Sequence, residues 1–160
     1  QPLYVLGGSL ELKASNLELA KAFCMKAYEM DRRDEALYLV WPRVEAELDE
    51  PDRARTLFER GLEHHPFSTR IMAAYAEFEA TEGFDDAARE LHERALNIDE
   101  ASPTADRHRA AWAALELDAG QVLAARAILD DGDALAAAVA AAAQPQQAQQ
   151  GQPQQQAQQQ

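Results

Sequence analysis

Two stretches of this chain carry the same text in register. Trp41 to Leu62 reads WPRVEAELDEPDRARTLFERGL, and 34 residues later Tyr75 to Leu96 reads YAEFEATEGFDDAARELHERAL. An aromatic (Trp41, Tyr75), an apolar residue three on (Val44, Phe78) and a Glu (Glu45, Glu79) recur. Ala-Arg follows (Ala54-Arg55, Ala88-Arg89), then Glu-Arg (Glu59-Arg60, Glu93-Arg94). A fixed period of this size marks a chain that stacks one supersecondary unit, because such a unit cannot bury its apolar face alone.

The register extends in both directions. An Ala-Lys/Arg pair stands at Ala20-Lys21, Ala54-Arg55, Ala88-Arg89 and Ala125-Arg126, with steps of 34, 34 and 37. The same steps relate Glu11, Glu45, Glu79 and Glu116, and also Gly7, Trp41, Tyr75 and Trp112. This divides the chain into units of about 1–32, 33–66, 67–100 and 101–133. The longer last step places its extra residues near Asp99 to Ala105.

Each unit reads as two helices. The second has apolar residues at i, i+3, i+4, i+7 and i+8, the stripe of a helix with one buried face. In unit one these are Ala20, Phe23, Cys24, Ala27 and Tyr28; in unit two, Ala54, Leu57, Phe58, Gly61 and Leu62; in unit three, Ala88, Leu91, His92, Ala95 and Leu96. The small residue at i+7 lets helices approach closely, and His92 reads as a packed, hydrogen-bonded core histidine. First helices carry Leu37, Tyr38, Trp41 and Val44, then Ile71, Met72, Tyr75 and Phe78. Unit four keeps Trp112 and Leu115 but has His108 and Arg109 a turn earlier, a polar face that suits a last repeat with no successor. The predicted repeat core includes Trp41, Phe58, Tyr75, Phe78, Leu91 and Trp112. The fold class expected is all-α, a superhelical solenoid of about four helix hairpins.

The punctuation agrees. Ser15-Asn16-Leu17-Glu18 is a capping-box pattern. Pro51 stands where a first helical turn tolerates proline, and Ser102-Pro103 reads as an N-cap followed by such a proline. Gly83 and Gly120 share one repeat position and predict left-handed ends of first helices. Unit four then fails at Gly132 and Asp133. Residues 134–143 (Ala134 to Ala143) could extend a helix on alanine propensity. Residues 144–160 are Gln, Pro, Ala and Gly only, with no apolar face to bury, and predict a disordered tail.

The net charge of −13 belongs wholly to the part ending at Asp133. That balance argues against a broad nucleic-acid footprint, which needs clustered Lys and Arg. The single cysteine, Cys24, excludes an internal disulfide and sits at a packing position. No apolar run is long enough to span a bilayer. The chain opens on Gln1 in the middle of a repeat, which reads as the C-terminal piece of a longer protein.

The acid and base of each unit lie ten residues apart with the turn midway: Glu11 and Lys21, Glu45 and Arg55, Glu79 and Arg89, Glu116 and Arg126. Residues equally far from the turn of an antiparallel pair lie at one height, so these pairs are expected to meet across each hairpin. If buried, loss of one partner would cost roughly 3–5 kcal/mol by stranding the other charge. Catalytic and metal groupings are lacking. His64-His65 precedes Pro66 and reads as a helix end, and Asp130, Asp131 and Asp133 lack the later Glu of a calcium loop. There is no phosphate-cradling Gly loop and no Cys-His cluster. The expectation is a non-enzyme with no cofactor.

The pattern in Trp41, Glu45, Arg55, Phe58 and Arg60 resembles the half-a-tetratricopeptide (HAT) repeat. Tyr75, Glu79, Arg89 and Arg94 fit it too, as do Trp112, Glu116 and Arg126, whereas unit one departs with Gly7 and Lys21. The resemblance covers Gly7 to about Leu129 and implies RNA-processing machinery. The longer step, with Asn97-Ile98-Asp99 before it and Trp112-Ala113-Ala114-Leu115-Glu116 after it, resembles late repeats of chloroplast HAT proteins that process and stabilise photosystem II transcripts. The implied function is a chloroplast mRNA maturation and stabilisation scaffold that binds RNA. The alternative is a protein–protein scaffold of a nuclear splicing or 3′-end cleavage complex. The implied partners are RNA, protein subunits or both, with a homo-oligomer left open. The RNA-contact candidates are Arg43, Arg70, Arg107 and Arg109, the basic residues on or beside first helices.

Overall fold

A computed structural model describes residues 2–99 and 103–129. Within them the chain is all helical, with eight helices and no strand: α1 (Pro2–Lys13), α2 (Leu17–Met30), α3 (Leu37–Glu47), α4 (Pro51–His64), α5 (Thr69–Thr81), α6 (Asp85–Ile98), α7 (Pro103–Asp118) and α8 (Val122–Ile128). The Ala-rich stretch, the Gln-rich tail, Ser102 and the acidic group after Leu129 lie outside the described residues.

Helices pack in chain order. Each odd-numbered helix lies against the even one that follows, α2 against α3, α4 against α5 and α6 against α7. The odd-numbered helices also touch in succession, α1 with α3, α3 with α5 and α5 with α7. The apolar stripes explain this order. Ala20, Cys24 and Ala27 of α2 bury with Val5, Leu37 and Val44. Phe58 and Leu62 of α4 bury with Tyr38, Ile71, Met72 and Ala95. Ala125 and Leu129 bury with Ala113. Of the expected repeat core, Phe58 is fully buried, whereas Trp41, Tyr75, Phe78, Leu91 and Trp112 are only half-buried. They line the seams between hairpins, and the deepest side chains are Tyr38, Phe58, Leu37, Ile71 and Met72.

The turns between paired helices share one device. Gly83 and Gly120 have φ of +83° and +75°, as their repeat position predicts. The same position in the first two units holds Ser15 and Asp49, both at φ +61°. This overturns the capping box. A Ser at positive φ ends α1 and cannot also cap α2, and Asn16, the true N-cap residue, makes no side-chain cap and donates instead to Glu11 at 2.7 Å. Among the described N-caps, Ser68 is the one that forms a side-chain bond, its hydroxyl accepting from the Ile71 amide at 3.1 Å. Pro51 opens α4, and α4 ends at His64, where the His64-His65 reading placed it.

Candidate functional site: the seams and the grooves between first helices

The repeated charges meet, but with other partners than the spacing suggested. Lys21 reaches Glu45 at 2.8 Å, Arg55 reaches Glu79 at 2.9 Å and Arg89 reaches Glu116 at 2.6 Å. Each basic residue therefore pairs with the acid of the next hairpin, not its own. Equal distance from a turn sets the height of a residue along the helix pair but not the direction it faces. Each Glu lies one turn beyond the seam aromatic, and the indoles of Trp41 and Trp112 donate to Glu45 at 2.7 Å and Glu116 at 3.0 Å. That face of the first helix turns towards the preceding hairpin. Among the described residues, Glu11 takes the Asn16 amide and Arg126 is exposed, neither in such a pair.

The carboxylates are almost wholly enclosed, with Glu45, Glu79 and Glu116 at 2%, 3% and 7% exposure. Arg55 forks onto both Glu79 oxygens, its Nε at 2.9 Å and 3.2 Å and its second amine at 3.1 Å. Its guanidinium also lies 4.6 Å from the Phe84 ring centre and 5.5 Å from that of Phe78. The Glu79 hydrogen bond pushes the Arg55 pKa up, and Glu116 does the same for Arg89. Return links run the other way across the seams: Arg60 donates to the Tyr28 hydroxyl at 3.3 Å and Arg94 to the Pro66 carbonyl at 3.1 Å.

The third seam holds a different device. His92 and His108 face each other at Nδ1 with 2.9 Å between them, and His108 Nε2 lies 3.0 Å from the Thr69 carbonyl oxygen. A carbonyl only accepts, so neutral His108 carries its proton on Nε2 and accepts at Nδ1 from the Nδ1–H of His92. His108 is completely buried, so the polar open face expected for unit four is instead a closed contact. The reading of His92 as a bonded core histidine holds. Burial, then the neighbouring His108, pushes His92 down to about 4, and burial lowers His108 as well. Cys24 is fully buried, and burial followed by Glu45 pushes its thiol up to about 12.

Two grooves run between first helices. The one between α5 and α7, about 820 Å³, is floored by Ala73, Ala76, Ala80, Ala111 and Ala114, with Arg70 and Arg107 as its cations and Glu77, Asp85 and Asp118 as its acids. The one between α3 and α5, about 640 Å³, sets Arg43 among Glu47, Asp49, Glu77 and Glu82. The four arginines are thus dispersed. Arg70 and Arg107 share a groove, Arg43 stands in its neighbour, and Arg109 pairs with Asp106 at 3.0 Å. Arg70 also holds Glu35 at 3.4 Å. The acidic lining was legible only after folding, because Glu47, Glu77 and Asp118 are scattered in sequence.

No group of three or more His, Cys, Asp or Glu among the described residues is placed to hold a metal ion. No helix among them is long and apolar enough to cross a membrane. No protein-family model matches the chain, and no curated protein matches it either.

Proposed function

We propose that the chain is a non-catalytic docking scaffold, an α-α solenoid of four hairpins whose grooves between first helices take a basic, extended or helical segment of a partner protein. The observation that carries this reading is the acid along those grooves. Glu77 lies on both, joined by Glu47, Asp49 and Glu82 in one and by Asp85 and Asp118 in the other. Potentials of opposite sign across an interface steer encounter and suppress wrong partners. The alanine floor lets a partner backbone come close. The reactive residue types are spent on structure: the two buried histidines bond to each other, and the one thiol is enclosed.

On the resemblance of its repeats to HAT repeats, we propose RNA processing as the setting of this scaffold. The likeness at the longer step favours a chloroplast transcript-maturation complex, with a nuclear splicing or cleavage complex as the alternative. A second reading, direct RNA binding, draws on Arg70 and Arg107 in one groove. Fluorescence anisotropy with two probes, a Lys-rich dodecapeptide and a single-stranded RNA of equal charge magnitude, separates the readings. The peptide is expected to bind, and Glu77→Gln with Glu82→Gln to weaken it by about tenfold. RNA binding that falls with salt and is lost in Arg70→Gln/Arg107→Gln would replace the protein reading by the RNA one.

A further inference from the structure

We propose that the cleft between α4 and α6 is a second docking surface, which seats a lysine and a neighbouring apolar residue of a partner protein. The register of the repeat shows how the cleft arises. At the first seam Tyr28 of α2 covers Trp41, ring centres 5.5 Å apart, and its hydroxyl accepts from Arg60 at 3.3 Å. One turn before it stands the buried Cys24. At the second seam the ring is one turn earlier. Phe58 occupies the place of Cys24 and stacks on Tyr75 at 4.9 Å, while Leu62 occupies the place of Tyr28. Leu62 offers neither ring nor hydroxyl, and Arg94 reaches to the Pro66 carbonyl instead, at 3.1 Å. A cleft of about 590 Å³ lies over Leu62, Tyr75, Ala87 and Leu91.

The rim differs as well. Glu59 and Glu90 stand where the first seam has Met25 and Thr56, and Ala87 where it has Arg53. Glu63 keeps the place of Glu29, but Glu29 is held by Lys26 at 2.8 Å, whereas Glu59, Glu63 and Glu90 make no ion pair among the described residues. Carboxylates Glu59, Glu63 and Glu90 with the Arg94 guanidinium thus replace the single carboxylate Glu29 and the guanidiniums Arg53 and Arg60. Lysine suits such a cleft. Its stem lies on the leucines, and its ammonium has three separate donors for separate carboxylates, where the planar fork of arginine matches one. Past Arg94 the cleft continues to Pro66, Ile98 and Phe67, the last 77% exposed, a seat for an apolar neighbour of that lysine. The acidic rim repels a phosphate backbone and attracts a basic protein segment. None of these residues lines a groove between first helices, so the two docking surfaces are separate.

Nuclear magnetic resonance titration of the isotope-labelled full chain with a capped dodecapeptide of Leu and Lys at helical spacing tests this. Amide shifts are expected at Leu62, Leu91 and Arg94. Leu62→Tyr, which restores the ring of the first seam, and Glu59→Met/Glu90→Thr, which restores its rim, should each weaken binding at those amides about tenfold, with helix content by circular dichroism unchanged. Glu77→Gln/Glu82→Gln should leave it as it is. The same peptide with its lysines acetylated should leave the natural chain's amides unmoved, a result that needs no variant to fold. Shifts at Leu62 and Leu91 that survive both restorations, or that the acetylated peptide reproduces, overturn the proposal. So does a peptide that moves only amides of the first-helix grooves, or none at millimolar concentration.

Discussion

At Gly61 there is no room for one more carbon. A Cβ there would lie 2.8 Å from Tyr38 Cβ, and Tyr38 is held in place by its hydroxyl, which donates to the Arg32 carbonyl at 2.6 Å. Gly61→Ala gains about 1 kcal/mol of helix propensity but overpacks a fixed ring, which costs about 1–3 kcal/mol. The expected outcome is a net loss, read as a lower urea midpoint at unchanged slope. The opposite result is expected at Asp49, which sits at φ +61° where the equivalent unit-three residue is Gly83. Asp49→Gly removes a left-handed penalty of roughly 1 kcal/mol and should raise the midpoint, whereas Gly83→Ala should lower it. The need for small size at Gly61 and for positive φ at Gly83 could be read from residue type. Ser15 and Asp49 hid the same conformation, because short polar residues read equally well as caps, and only alignment with the glycines distinguishes the two.

Between elements, the clasp is the seam ion pair. Arg55→Ala leaves Glu79 enclosed without its cation, and a loss of about 3 kcal/mol is expected. Arg55→Lys keeps the charge but not the fork, so it should fall between the two. A double-mutant cycle on thermal or urea unfolding separates the two pairings. Arg55 with Glu79 is expected to couple by about 1 kcal/mol or more, and Glu79 with Arg89 by less than about 0.5 kcal/mol. The helices and their buried stripes were legible because a period of 3.6 leaves its mark on composition. The spacing of Glu and Arg carried the height of each residue above its turn and nothing about azimuth. The indoles of Trp41 and Trp112, bonding one turn ahead, were the signal that the acids face backwards.

For the whole molecule, the His92–His108 contact predicts how the stack responds to acid. An unfolded histidine takes up its proton near pH 6.5, whereas folded His92 holds off until about 4. The unfolded state therefore binds more protons between those values, and stability is full above the range and falls as pH drops through it. Urea titrations at pH 7, 6, 5 and 4 should show a steeper decline for the natural chain than for His92→Leu/His108→Ile. That variant restores residue types found in register in the other units. Hydrogen exchange at pH 5 should rise first in α7 and α8. The third seam as a polar junction was not legible beforehand, since His108 took its meaning from a partner 16 residues away.

Because every clasp joins one hairpin to its successor through equivalent positions, hairpins are interchangeable along the thread. Excising the 34 residues from Asp34 to Phe67 would bring Lys21 opposite Glu79 with all later spacings intact. A deletion of 33 or 35 residues (roughly, a slip of about 100° around the helix) would turn the acid away from its base. Such a molecule can shorten or lengthen in whole periods and tolerates little in between.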